Sequence, residues 1–248
     1  MSKQKQQLDT TAVEARDLRI YRLKITIGHT DPAIWRRLEV YAGIEMDSLA
    51  TAIETSFGWS GEHLGGFTIK GRTIGDDSGW GAHEGQFLDD EFRQLRRLRV
   101  KQTDEATKRA EAKRLVELIS AKLQAKEAAA EQDDGGVPTL CDLVPRVRTK
   151  FTYTYDFGDD WKHLIEVENI APAEPGVRYP RCTDGARGNP VEDCGGPWGF
   201  AELVEAAGNP KHERFADLVE WGLEKWDPAK FSIEQADRKL ARIFRLRK

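Results

Sequence analysis

Residues 150–157 read Lys-Phe-Thr-Tyr-Thr-Tyr-Asp-Phe, and no other stretch constrains the fold so strongly. Phe151, Tyr153, Tyr155 and Phe157 alternate with Thr152, Thr154 and Asp156. That period of two belongs to a strand with one buried face. Gly158-Asp159-Asp160 supplies turn residues and 161–170 a partner strand, so 151–170 predicts a β-hairpin. A second hairpin is predicted near the start. There Tyr21, Leu23, Ile25 and Ile27 alternate with Ile20, Arg22, Lys24 and Thr26, and 34–40 returns after the turn from Gly28 to Pro32. A helix beginning at Met46 or Asp47 places Leu49, Ala52, Ile53 and Phe57 on one face and stops at Gly58. A strand over 63–70 follows, then an irregular loop from Gly71 to Gly85. Further helices are predicted at 199–207, 211–225 and 232–245, with Ser232 and Glu234 near the start of the last. The expected architecture is α+β: a mixed or antiparallel sheet from 19–40, 66–70 and 150–170, with helices packed on one face.

A length of 248 residues suits one large domain. The reading is a mobile leader over 1–17 and a single domain over 18–248, interrupted by a charged helical insertion at about 86–132. Leu115, Leu118, Ile119 and Leu123 give the insertion only a thin apolar stripe. Eleven basic residues between Arg93 and Lys126 face four acidic ones, a local excess of seven positive charges in a chain of net charge −4. Global charge therefore says nothing about nucleic acid, whereas 93–126 is a candidate surface for nucleic acid or another protein, with Arg96, Arg97 and Lys113 as candidate phosphate contacts. No run of about 18 apolar residues is present and the N-terminus lacks a signal-like apolar core, so a cytoplasmic protein without membrane contact is expected. In that reducing compartment Cys141, Cys182 and Cys194 are expected as thiols.

Several motifs occur in a set order: Trp35-Arg36-Arg37, Phe57-Gly58-Trp59, His63-Leu64, the run from Tyr155 to His163, Tyr179-Pro180-Arg181-Cys182, and the run from Glu192 to Gly199. Together they resemble the plasmid pRiA4b ORF-3-like family over about 19–70 and 139–245. The resemblance implies a protein associated with mobile elements and plasmids, often labelled a TnpR-type passenger, in a family without an established biochemical function. The residues do not supply a recombinase: there is no N-terminal serine-nucleophile motif, and Tyr179 between Arg178 and Arg181 reads as structural. Asp156-Phe157-Gly158 matches a kinase metal-binding triplet, yet no Gly-rich phosphate loop or HRD-type loop accompanies it, so a strand ending in a turn explains it better.

The leading functional reading is a non-enzymatic binding or accessory module. Its candidate surface comprises Trp35, Arg36, Trp59, His63, Asp156, Asp159, Trp161, His163 and Trp198, where tryptophans interleave with charges. The alternative is a metal- or thiol-dependent hydrolase with His163 and Cys194 as working groups and Asp193 beside them. Zinc on His163, Cys182 and Cys194, with His63 able to join, is the metal reading; the spacing contains no C-x-x-C pair, so no cofactor is required by the sequence. The plainer reading makes both cysteines small core residues and His163 a strand histidine bonded to a carboxylate such as Asp160 or Asp193. Glu192-Asp193 suits a loop-ordering role through backbone N–H groups better than an acid/base pair, and Gly195-Gly196-Pro197-Trp198 reads as a tight turn. Reversing the charges of Arg96, Arg97 and Lys113 should weaken association with DNA and flatten its salt dependence, while Cys194→Ser leaves it unchanged. Filter binding across a salt series is the check, and salt-insensitive association would remove the nucleic-acid reading.

Overall fold

The computed structural model describes residues 18–75, 82–83 and 138–245; the leader, the insertion with its 93–126 charges, and Arg96, Arg97 and Lys113 lie outside these residues. Strands β1 (Arg19–Ile27), β2 (Trp35–Tyr41), β3 (Gly65–Ile69), β4 (Arg72–Ile74), β5 (Ala82–His83), β6 (Lys150–Tyr155), β7 (Trp161–Pro172) and β8 (Arg181–Ala186) form one sheet. Its order is β5-β4-β3-β6-β7-β1-β2-β8, and every pairing is antiparallel. Both predicted hairpins form, and β1 pairs with β7 to join them. Helices α1 (Met46–Phe57), α2 (Leu140–Leu143), α3 (Gly196–Ala207), α4 (Phe215–Glu220) and α5 (Ile233–Arg245) complete the α+β fold. Among the described residues no helix is long and apolar enough to cross a membrane.

The period of two sorts each strand into two faces, and the register lines the faces up as rows. On the core face one row runs Phe67, Tyr153, His163, Ile27 across β3, β6, β7 and β1; the next runs Phe151, Ile165, Ile25, Arg36, Gly185 from β6 to β8. Arg36 and His163 are buried because alternation puts them in these rows, among side chains that are otherwise apolar. A Cβ at Gly185 would press on the ring of Phe231, so this edge position must stay small beside Arg36. The opposite face carries Lys150, Glu166, Lys24, Arg37 and Asp184 as cross-strand neighbours. Arg37 bonds both Glu168 and Asp184, and Lys150 meets Glu166 at 3.4 Å.

Helix α1 packs Met46, Leu49, Ala52, Ile53 and Phe57 inward and ends where predicted, with Gly58 in the left-handed region at φ 87°. Gly58 serves a second purpose: the side chain of Asn189 occupies the space that a Cβ would need.

Four expectations change. The 71–85 loop contains the short strands β4 and β5. Strand β8 has no apolar alternation, and neighbours hold it instead: Arg181 bonds Glu39, Asp184 bonds Arg37, and Cys182 N donates to Asp237. Gly196-Pro197-Trp198 is the first turn of α3, since Pro near the start of a helix loses no hydrogen bond there. The predicted 211–225 helix shrinks to α4, and Gly222 at φ 68° follows its end.

Glu39 sits at the edge of the charged face between Arg22 at 2.8 Å and Arg181 at 2.6 Å. Burial pushes its carboxyl up, but hydrogen bonds and charge from both arginines outweigh it and hold the group below the ordinary glutamate range. A depressed carboxyl stabilises the fold above its unfolded pKa of about 4.3 and loses that contribution as pH falls through the folded value. Glu39→Gln should cost about 1–3 kcal/mol at pH 7. The cost should shrink as pH drops below about 4, read from urea denaturation of both proteins.

Candidate functional site

Three loops meet at one end of the sheet: 58–64 after α1, the 156–160 turn between β6 and β7, and 187–195 before α3. Trp59, only 6% exposed, fastens them together. Its indole stacks on Tyr155 at 4.7 Å, meets His163 edge-on at 5.2 Å, and donates from Nε1 to the Pro190 carbonyl at 3.1 Å. Glu192 performs the loop-ordering role expected of it. Its carboxylate accepts hydrogen bonds from Ser60 N and Oγ and from the Tyr155 hydroxyl at 2.6 Å. Burial, reinforced by Glu192, pushes the Tyr155 phenol up, and burial with Glu54 does the same to Tyr153, so both phenols remain donors.

The 156–160 turn is wound tightly. Asp156 adopts φ 55°, and its Oδ1 accepts from Gly158 N at 2.9 Å and Asp159 N at 3.3 Å. Asp159 Oδ2 then accepts from Gly195 N at 3.3 Å, which ties the turn to the start of α3. Gly196 lies so close that a Cβ there would overlap the Asp159 carbonyl. Arg214 secures the other side by donating to the carbonyls of Cys194 and Gly199.

On this frame His63 stands between two carboxylates. Its Nδ1 lies 3.6 Å from Asp156 Oδ2 and its Nε2 lies 3.3 Å from Asp193 Oδ1. Donor atoms of the three residues all fall within 4.8 Å of one another, the one grouping of three or more metal-capable side chains found among the described residues. Asp193, with 73% of its side chain exposed, opens the cluster to solvent. Exposed Leu64 and Phe157 adjoin His63 and Asp156 in the chain. Trp198, 71% exposed, lies beside His29 on the flank of α3.

The residues singled out from sequence therefore divide. His63, Asp156, Asp193 and Asp159 belong to the sheet end; Trp59 supports it from below and Trp198 projects from α3. Trp35 lies on the charged face between Lys24 and Arg37. Arg36, Trp161, His163, Cys182 and Cys194 are buried. The pairing of His163 with Cys194 does not form: His163 Nδ1 lies 3.2 Å from the Tyr153 carbonyl, whereas Cys194 Sγ donates to the Gly196 carbonyl. Nor does a carboxylate bond His163, because its place in the row faces it with a backbone acceptor and the rings of Phe57, Trp59 and Tyr153. Burial pushes the thiols up, Cys182 to about 11 and Cys194 to about 12, so both are neutral near pH 7. Glu54 and the hydrogen-bonding roles of Tyr153 and Tyr155 were not legible in the sequence; they come from contacts between segments far apart in the chain.

The fold and this sheet end define a class of protein: a two-faced antiparallel sheet whose core face is covered by helices and whose end carries an acidic, histidine-centred junction of loops. A family model described as plasmid pRiA4b ORF-3-like protein matches residues 19–235, and the chain belongs to that family. It is 30% identical over 220 residues to an uncharacterised protein, y4hQ, of Sinorhizobium fredii, covering 88% of this chain and 89% of that one. A crystal structure of a protein of unknown function, MM3350 from Methanosarcina mazei Go1, superposes with a TM-score of 0.58 at 25% identity, over 87% of this chain and 96% of the other.

Buried His163 leaves a pH signature. Burial pushes it down to about 4, outweighing the backbone hydrogen bonds that act the other way, and its Nε2 has no hydrogen-bond partner among the described residues. A histidine lowered in the fold binds its proton more tightly when unfolded, so its contribution is complete above pH 6.5 and is lost as pH falls towards 4. Between pH 7.5 and 5 this group should remove about 2 kcal/mol of stability. His163→Leu should flatten that slope in paired urea titrations; an unchanged slope would mean that His163 is not the group responsible.

Proposed function

We propose that this protein is a non-enzymatic binding module whose working surface is the sheet end, and that the surface takes a divalent transition-metal ion at His63 and Asp193, with Asp156 behind the imidazole. The observation that carries the reading is His63 held between two carboxylates from different loops. Two ligands at about 2.0–2.1 Å from a tetrahedral ion stand roughly 3.3 Å apart, and His63 Nε2 to Asp193 Oδ1 is 3.3 Å. With the ion on that pair, Asp156 Oδ2 stands 3.6 Å from Nδ1 on the other side of the ring, the place from which carboxylates behind metal-bound histidines commonly act. One nitrogen and carboxylate oxygens suit zinc, manganese or iron better than the all-oxygen preferences of calcium. The exposed side of Asp193 leaves positions on the ion for a partner's donor group, with Leu64 and Phe157 beside it for apolar contact.

Two features weigh against hydrolysis by His163 and Cys194: the imidazole is enclosed and the thiol is protonated. Nucleic acid is also a poor direct ligand for this end, where Asp156, Asp159, Asp160, Glu192 and Asp193 would repel phosphates. Any contact with DNA would fall to the basic 93–126 segment.

Calorimetric titration with zinc and with manganese should show saturable one-to-one binding. His63→Ala should abolish it, and Asp156→Asn should weaken it by about 10–100-fold with the fold intact by circular dichroism. Binding unaffected by His63→Ala, or no saturable binding of either ion, would sink the proposal.

A further inference from the structure

A cleft of about 160 Å³ is bounded by the C-terminal turn of α1, Asn189, and the 226–239 segment that leads into α5. Its surroundings have an unbalanced charge. Arg36 is fully buried and lies behind three lining residues: Nε donates to the Ser56 carbonyl at 3.1 Å, one Nη2 hydrogen goes to Asn189 Oδ1 at 2.9 Å, and the guanidinium lies 3.7 Å from the Phe231 ring centroid. Its other two bonds reach the carbonyls of Trp35 and Ala186. No carboxylate is among these partners, although an enclosed cation ordinarily has a counter-charge. Four bonds out of the five that a guanidinium can donate leave one N–H unused on the nitrogen facing Asn189.

Three further features converge on the cleft. Thr55 is 95% buried, since its exposure is 5%, and it lines the cleft with a side-chain hydroxyl that makes no hydrogen bond among the described residues. Lys230 and Lys239 line the rim and form no ion pair among the described residues. The α5 amino terminus opens here, with Ser232 Oγ accepting from Gln235 N at 3.2 Å and Gln235 itself on the lining. Asp227 opposes them, but its Oδ1 is engaged by Ala229 N at 2.8 Å. Arg36, Lys230 and Lys239 against Asp227 leave a local excess of two positive charges.

We infer that this cleft is a second binding site, for the phosphate group of a small molecule, with Thr55, Lys230, Lys239 and the first turn of α5 as contacts and Arg36 as the buried counter-charge. A phosphate offers several acceptor oxygens to a site made of donors, and a helix amino terminus with lysines is a recurrent setting for it. The volume suits a phosphate with a short organic substituent and is too small for a drug-sized ligand, whose pockets begin near 300 Å³. The site shares no residue with His63, Asp156 or Asp193, so it stands or falls separately from the metal proposal.

The probes are inorganic phosphate and glycerol phosphate, titrated against sodium chloride at matched ionic strength, with thermal stability and calorimetry as readouts on the full chain. Saturable binding of either phosphate, with about tenfold loss in both Lys239→Glu and Thr55→Val, is the expected result. Tighter binding of glycerol phosphate would assign the ligand to phosphomonoesters and equal binding to free phosphate; both support the site. Lys239 is exposed and Thr55→Val removes a hydroxyl without lengthening the side chain, and circular dichroism and thermal melting confirm that each variant is folded before its affinity is read. A phosphate response no greater than that of chloride, or wild-type affinity in both variants, would overturn the inference.

Discussion

Pairing of β1 with β7 is the contact on which the rest depends. Each hairpin is local, but a lone hairpin in water is marginal, and only their edge-to-edge union makes a sheet wide enough to bury a row of side chains. Because side chains alternate strictly, the register of this pairing decides what faces inward everywhere: Ile25 against Ile165, Ile27 against His163. A slip by one residue would turn Leu23, Ile25 and Ile27 to the charged face and place Lys24 in the core. The union also brings β3, through β6, and β8, through β2, into the same sheet.

From that register follows the concentration of polar groups at the sheet end. The 156–160 turn, the loop after α1 and the loop before α3 all finish beside the Tyr155–Trp161 pair. Buried rings alone would leave those loops loosely placed. Directional bonds remove the freedom: Glu192 holds Ser60 and Tyr155, Asp159 holds Gly195, and Arg214 holds the Cys194 and Gly199 carbonyls. Carboxylates used in this way are structural, which leaves Asp156 Oδ2 and the exposed Asp193 as those turned towards His63. Rigid placement of this kind is what a binding surface requires, since little ordering is left for the ligand to impose.

Arg36 and His163 share one cause and meet different fates. Both occupy core-facing positions dictated by alternation, and both must be accommodated where water is absent. The histidine gives up its charge and leaves one nitrogen without a hydrogen-bond partner among the described residues. The arginine, lowered by burial only to about 10, keeps its charge, and carbonyls, an amide and aromatic faces surround it in place of a carboxylate. Two tryptophans show the same division. Trp59 and Trp35 look alike as aromatics beside turns or charges, yet one is a buried fastening and the other lies on the charged face.

The amino-acid sequence by itself determined the strands of both hairpins, helix α1 with its glycine stop, the last helix, and the membership of one family, because these rest on short-range periodicity and on ordered motifs. It also pointed to the segments around 156–163 and 182–198 without ordering their residues by role. Strand β8 was not legible, since Arg-Cys-Thr-Asp-Gly-Ala has no alternation and is held by side chains from β2 and α5. Only the tertiary structure decided that His63 meets Asp156 and Asp193, that His163 and Cys194 turn to separate backbone carbonyls, and that Arg36 stands behind a cleft. Those relations depend on how the strands and loops are brought into register, and a one-residue change in register reverses the face of every side chain on a strand.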